Sequence, residues 1–165
     1  MNDLGGGGVR EQGTAYYSKY SPFSNHFRCT FNIDGKTFSS VEQFFMFQKA
    51  MLFGDKQKAT EILADPDPVK AKKHGYSVKN FNAKTWSSAA QDIMFQGMLA
   101  KFSQNEELKM FLLETDTNMI AEASPTDDHW GTGISLRSKD IFDSDKWKGK
   151  NFAGKTLERV RQTLK

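Results

Sequence analysis

The sequence predicts a mainly α fold with minor β structure (α+β), built as one compact domain with a small N-terminal β-hairpin. Apolar residues recur at helical spacing over long stretches, above all Ser39–Phe53 and Trp86–Phe102. One strong hairpin signal appears, Asp34-Gly35 between Phe27–Ile33 and Lys36–Phe38. With 165 residues, of which 38% are hydrophobic and 26% charged, the chain is long and apolar enough for one domain with a real core.

The elements follow in order. Residues 1–14, with glycines at positions 5–8, read as a flexible arm, and residues 15–165 as the domain. After the hairpin, Ser39–Phe53 forms the first helix. Asp55–Ala64 forms the second and stops before Asp65-Pro66-Asp67-Pro68, because a residue preceding proline disfavours the helical region. A short helix, Val69–His74, ends at Gly75. In Trp86–Phe102, Ala90, Ile93, Met94, Met98 and Phe102 mark one apolar face. Asn105 is the expected N-cap of Glu106–Glu114. Asn118–Ala123 reads as a strand and Gly154–Leu164 as a last helix, whose Lys155, Glu158, Arg159, Arg161 and Lys165 suggest a solvated basic face.

Composition narrows the function classes. The single cysteine, Cys29, excludes an internal disulfide and a thiolate metal site, and fits a reducing compartment. No run of apolar residues is long enough to span a membrane, and no secretory h-region is present. The expected location is therefore cytoplasmic, or nuclear in a eukaryote. The three histidines, His26, His74 and His129, are scattered, so no metal site and no cofactor is expected. A net charge of +3 permits an anionic partner without demanding one. Lys70, Lys72 and Lys73 read better as a solvated face than as a nucleic-acid patch.

The first helix carries the main anomaly. At about 100° per residue its apolar side chains cover nearly every direction, the mark of a buried helix. Yet it holds Glu42 and Lys49, which fall within roughly 20° of each other on the wheel and share a stripe with Phe45, Met46 and Phe53. Their α-carbons lie about 10 Å apart along the axis, too far for the usual helical ion pair. Each therefore faces a group from elsewhere, or a ligand between them. The plainer alternative makes Glu42 the third residue of a capping box begun by Ser39, and Lys49 a chain reaching the surface.

A second constellation is Glu122–Gly133, "EASPTDDHWGTG", which packs Asp127, Asp128, His129 and Trp130 before two glycines. An indole beside carboxylates suits a site that stacks a base or sugar and positions water. The alternative is a surface turn with Trp130 folded onto the core. The glycines do not form a phosphate-cradling P-loop, since no Lys-Ser or Lys-Thr follows them.

Taken together, "SPFSNHF" (Ser21–Phe27), "DGKTFSSVEQFFMFQKA" (Asp34–Ala50), "FGDKQKATEILADPDPVKAKKHG" (Phe53–Gly75), Trp86, "LAKFSQNEEL" (Leu99–Leu108), the Glu122–Gly133 loop and "WKGKNFAGKTLERVR" (Trp147–Arg161) resemble the NADAR, or YbiA-like, family in order and spacing. The resemblance covers about residues 16–165. It implies a compact, mainly α domain and N-glycosidase activity on ribosylated amines. Some members are linked to phosphoribosylamino-pyrimidine intermediates of riboflavin synthesis, and others remove ADP-ribose from the amino group of guanine in nucleic acid. The implied site comprises Glu42, Lys49, Trp86, Lys101, Asp127 and Trp130, with Ser24 and Asn25 as ligand contacts. The slot of His129 admits varied residues.

The chemistry fits these residue types. Breaking a C–N bond at an anomeric carbon develops positive charge on the sugar, which a carboxylate stabilises while an acid protonates the leaving nitrogen. A lysine kept neutral by burial could instead attack the sugar carbon and hold it as a Schiff base. The expectation is Lys49 as nucleophile with Lys101 as its rival, Glu42 as general acid/base, and Asp127 orienting water or sugar hydroxyls. Trp86 and Trp130 would clamp the ribose or base. ADP-ribosylated guanine in DNA or RNA is favoured over the riboflavin intermediate. The rival from another class is a non-catalytic module that binds ADP-ribose or a nucleotide.

Overall fold

The computed structural model describes residues 7–10 and 13–165. In chain order the elements are β1 (Gly7–Arg10), β2 (Gly13–Tyr16), β3 (Phe31–Ile33), β4 (Lys36–Phe38), α1 (Val41–Leu52), α2 (Lys56–Ala64), α3 (Pro68–Gly75), α4 (Ala83–Ser103), α5 (Glu106–Leu113), β5 (Met119–Glu122) and α6 (Phe152–Leu164). Helix dominates and the strands are short, as the periodicity predicts. Of the arm expected over 1–14, residues 1–6 and 11–12 lie outside the described residues, while Gly7–Arg10 forms β1. The chain forms two compact units, one of Asn25–Asn105 and one of Met1–Ser24 with Glu106–Lys165.

In the unit Asn25–Asn105, α1 packs against α2, α3, α4 and β4. The β3–β4 hairpin turns at Asp34-Gly35, where both residues adopt positive φ, and sets Phe31 opposite Phe38. Those two rings lie 5.9 Å apart, and Phe38 meets Phe44 at 5.1 Å and Phe47 at 5.4 Å. The aromatic side chains of the hairpin and α1 thus form one buried cluster. Gly97 lets α4 approach it, since a Cβ there would sit 2.6 Å from the Phe44 ring.

Local signals explain the helix ends. Asp55 caps α2, Asp67 caps α3 with Pro68 as its first residue, and Asn82 caps α4 three residues earlier than the apolar pattern indicates. α1 is buried through Ala50 except at the half-buried Gln48 and Lys49, but Met51 and Leu52 are exposed, so its apolar character is not wholly interior.

In the other unit, β2 pairs antiparallel with β1 and parallel with β5. Ala15, Ala121, Ala123 and Ile141 form a core against which Ile134, Leu136, Phe142 and Trp147 pack. α6 lies against β5 and α5. Its expected basic face is corrected at two positions. Arg161 is 6% exposed and donates to Thr115 Oγ1 at 2.7 Å and Asn118 O at 2.8 Å, while Glu158 accepts from the Ile120 N–H at 2.8 Å. Both side chains satisfy backbone groups that end or flank β5.

Candidate functional site

The start of α1 decides what Glu42 is free to do. Ser40, not Ser39, is the N-cap, and its hydroxyl accepts from the Gln43 N–H. Gln43 occupies the third helical position and its Oε1 accepts from the Ser39 N–H at 2.8 Å. Its Nε2 donates to the carbonyls of Ile62, Leu63 and Asp65, the last groups of α2. The capping box is therefore displaced by one residue from the reading that used Glu42, and Gln43 ties two helix ends together.

Glu42 instead points into a buried polar environment. It is 7% exposed, its N–H donates to Asn25 O at 2.9 Å, and its Oε2 lies 3.8 Å from His26 Nε2. Asn25 Oδ1 is itself buried with no hydrogen-bond partner. A buried acceptor left so is costly, which marks it as a place where a ligand donor would be welcome.

Two turns along the same helix, the half-buried Lys49 ammonium donates to Gly75 O at 2.8 Å. It lies 4.6 Å from the Phe81 ring centre and 5.6 Å from that of Trp86. Trp86 rests on Phe45 at 4.9 Å, and Phe81 on Phe53 at 5.4 Å. Gly75 makes this possible, because a Cβ there would overlap the Met46 sulfur and push α3 off α1. Burial lowers the Lys49 pKa, and the Glu42 carboxylate acts in the opposite direction. The amine is thus easier to deprotonate than an exposed lysine, and the carboxylate is close enough to be felt.

Lys101, on α4, has a different setting. It is 1% exposed, with its ammonium 5.3 Å from the Phe27 ring and 4.9 Å from that of Phe102. Burial lowers its pKa to about 8, opposed by the charge of Cys29. Of the two lysines weighed as nucleophile, Lys49 has the half-exposed position and Lys101 the enclosed one.

In the other unit, the loop after β5 is built around Asp127, whose Oδ1 accepts from the N–H groups of His129 at 3.0 Å and Trp130 at 2.8 Å. This turn leaves the half-buried Trp130 packed edge-on with His129, at 5.1 Å, and His129 against Phe152, at 4.9 Å. Gly131 cannot carry a side chain, since a Cβ would come 2.8 Å from Asp127 O. The N–H groups of Asn151, Phe152 and Ala153 donate to the carbonyls of Gly131, His129 and Trp130. Those N–H groups open α6, so the start of this helix is committed to the loop and offers little to a phosphate. Asn151 adopts φ 52°, with its side chain donating to Ile120 O and accepting from the Glu122 N–H. Burial raises the Tyr16 hydroxyl well above its usual pKa, with Glu122 and Asp127 adding to the effect.

Ser24 lies in this second unit and its N–H donates to Ser21 O at 2.9 Å. A groove of about 330 Å³ on α5, lined by Glu106, Glu107, Met110, Phe111 and Glu114, contains none of the expected site residues. Its three carboxylates would repel a phosphate-bearing ligand.

Among the residues around Lys49 and Glu42, sequence reasoning singled out neither Phe81 nor His26. Phe81 is an aromatic in a polar turn five residues before Trp86, a weak signal without coordinates. His26 sits inside the quoted "SPFSNHF", but nothing in that string shows what its ring faces. Among the described residues no helix is long and apolar enough to cross a membrane.

Comparison with known proteins places this architecture. The NADAR domain model matches residues 12–165. The chain is 39% identical over 145 residues to N-glycosidase R617 of Acanthamoeba polyphaga mimivirus, covering 85% of each protein. It is 31% identical over 145 residues to N-glycosidase YbiA of Escherichia coli (strain K12), covering 88% of this chain and 82% of that protein. Protein irg-1 of Caenorhabditis elegans is 40% identical over 129 residues, 77% of this chain but 61% of irg-1, so the chain spans less than two thirds of that relative. The NMR structure of the E. coli protein YbiA superposes with a TM-score of 0.77 at 29% identity, over 95% of this chain and 87% of that one. The chain belongs to the NADAR domain family.

Proposed function

We propose that this protein is an N-glycosidase that hydrolyses a ribosyl C–N bond, and that its substrate is ADP-ribose attached to the amino group of guanine in nucleic acid. The observation that carries the reading is the α1 stripe. A buried carboxylate, Glu42, and a partly buried amine, Lys49, share one helix face beside Trp86 and Phe81. The names of the R617 and YbiA relatives support the bond type.

A ribosyl group on an exocyclic amine can open to an imine between its C1 and the base nitrogen. The neutral Lys49 amine adds to C1, and the C1–N bond to the base then breaks as Glu42 protonates the departing amine. The sugar stays on Lys49 as a Schiff base. Water adds to C1, the C1–Nζ bond breaks, and the free sugar closes its ring while lysine is restored. No oxidant or reductant is needed. Partial burial of Lys49 favours its reactive neutral form.

Incubation with ADP-ribosylated guanine oligonucleotide, and separately with a phosphoribosylamino-pyrimidine, tests the substrate. Release of ADP-ribose from the first supports the reading. Turnover of the second alone overturns the substrate assignment but keeps the bond type. Binding of ADP-ribose without turnover of either points to a non-catalytic module.

A further inference from the structure

His26 has no role in the scheme above, yet its ring faces the carboxylate on which that scheme depends. We propose that His26 and Glu42 form an ion pair that carries one proton, and that His26 acts as a positioning residue that keeps that proton available to Glu42 across neutral pH. This rests on the reading of Glu42 as the acid of a C–N bond cleavage.

The geometry carries it. The Nε2–Oε2 separation is 3.8 Å, with the imidazole side chain 23% exposed and the carboxylate side chain 9% exposed. The pair is fixed from the backbone as well, because the N–H of Glu42 donates to the carbonyl of Asn25, the residue before His26. A shift of the 25–26 segment would therefore move both the ring and the helix start.

Of the surrounding charges, the Lys49 ammonium favours the ionised form of Glu42 and so leaves the ring as the holder of the proton. Lys49, on α1, feels the Glu42 charge while donating to Gly75 O of α3. Lys101, on α4, feels the charge of Cys29. Asp55, which caps α2, is held by the N–H groups of Lys58 and Lys79. α1 also packs against β4, whose Lys36 is exposed.

An isolated glutamate is almost wholly ionised at neutral pH and makes a poor acid there. Beside an imidazole, the pair retains one proton up to the pH at which the ring titrates. That proton rests mainly on the ring and passes through the Glu42 carboxylate to the leaving nitrogen. One proton leaves the pair and one returns from the attacking water, so the balance closes over a cycle.

The test uses the full chain with His26→Gln, which keeps a side-chain donor but cannot titrate, alongside wild type and Glu42→Gln. In the pH profile of turnover, the basic limb in His26→Gln moves to lower pH by at least one unit, so activity is lost at pH 7 and largely recovered near pH 5. A profile parallel to wild type overturns the proposal. Carbon and proton NMR without substrate supply the second arm. The His26 ring titrates at lower pH in Glu42→Gln than in wild type, and the Glu42 carboxyl carbon responds in the pH range where the ring titrates. Independent titration of the two groups overturns the ion pair even if the protein turns over no N-ribosyl substrate. A correct NMR coupling with no turnover of any N-ribosyl amine by wild type would instead sink the glycosidase reading.

Discussion

The Lys49 ammonium donates to the carbonyl of Gly75 at 2.8 Å, at the point where α3 ends against α1. A lysine so placed is oriented but not locked, since one backbone acceptor is much weaker than a paired carboxylate. Lys49→Arg keeps the charge and can still reach the carbonyl, but a guanidinium cannot form a Schiff base. Turnover is expected to fall by about 10²-fold or more. Borohydride reduction with substrate should leave a sugar adduct on Lys49 in wild type and none in Lys49→Arg. An adduct mapped to Lys101 would transfer the nucleophile role.

The same lysine gives a pH prediction of definite sign. Burial lowers the Lys49 pKa and Glu42 opposes that shift. Replacing Glu42 by Gln removes the opposing charge, so the amine should titrate at still lower pH. Competitive acetylation of Lys49 read by peptide mass should show its reactivity rising at lower pH in Glu42→Gln than in wild type. An unchanged curve would mean that the carboxylate does not act on the amine.

Lys101 bears on stability. Its pKa is lowered to about 8 in the folded protein, from the ordinary lysine value of 10.5. Between those two values the unfolded chain binds more protons than the folded one, so stability rises with pH across that window. Below pH 8 the buried charge costs on the order of 3 kcal/mol relative to the high-pH limit. Lys101→Met should abolish this slope in denaturant unfolding measured from pH 7 to pH 10. A slope that survives the substitution would assign it to other groups.

Gln43 ties the start of α1 to the end of α2 through three hydrogen bonds, and accepts a fourth from the Ser39 N–H. Gln43→Ala should destabilise the protein by about 2–3 kcal/mol, because three helix-terminal carbonyls and one N–H lose their partner in a mostly buried place. A loss under about 0.5 kcal/mol in urea titration would show that water replaces the amide freely.

Asp127 can be separated into scaffold and chemistry. One carboxylate oxygen already holds the N–H groups of His129 and Trp130. Asp127→Asn keeps a carbonyl acceptor for that turn, while Asp127→Ala removes it. If the residue only builds the loop, Asn should preserve turnover and Ala should not. If its second oxygen orients water or a sugar hydroxyl, both variants should lose activity while Asn retains wild-type thermal stability.

Much of the fold was legible along the chain, because its signals are local. The Asp34-Gly35 turn, the stop of α2 before Asp65-Pro66, the strand near residue 120 and the apolar face of α4 all depend on neighbours a few residues away. The parallel pairing of β2 with β5 was not legible. It joins Gly13–Tyr16 to Met119–Glu122 across more than a hundred residues, and four-residue strands carry no periodicity long enough to announce a partner. Arg161 was misread for a related reason, since its acceptors Thr115 and Asn118 lie forty-odd residues away and make burial of a guanidinium tolerable.

The sequence by itself determined that a carboxylate and an amine sit on one face of a largely buried helix, because residue spacing and helical pitch fix relative direction. Only the tertiary structure decided what each one meets. It gave Glu42 to His26 and Lys49 to Gly75, Phe81 and Trp86, and it passed the cap to Ser40 and Gln43. The charge state and reactivity of an ionisable group depend on desolvation and on partners brought from distant segments, and helix geometry alone carries no record of either.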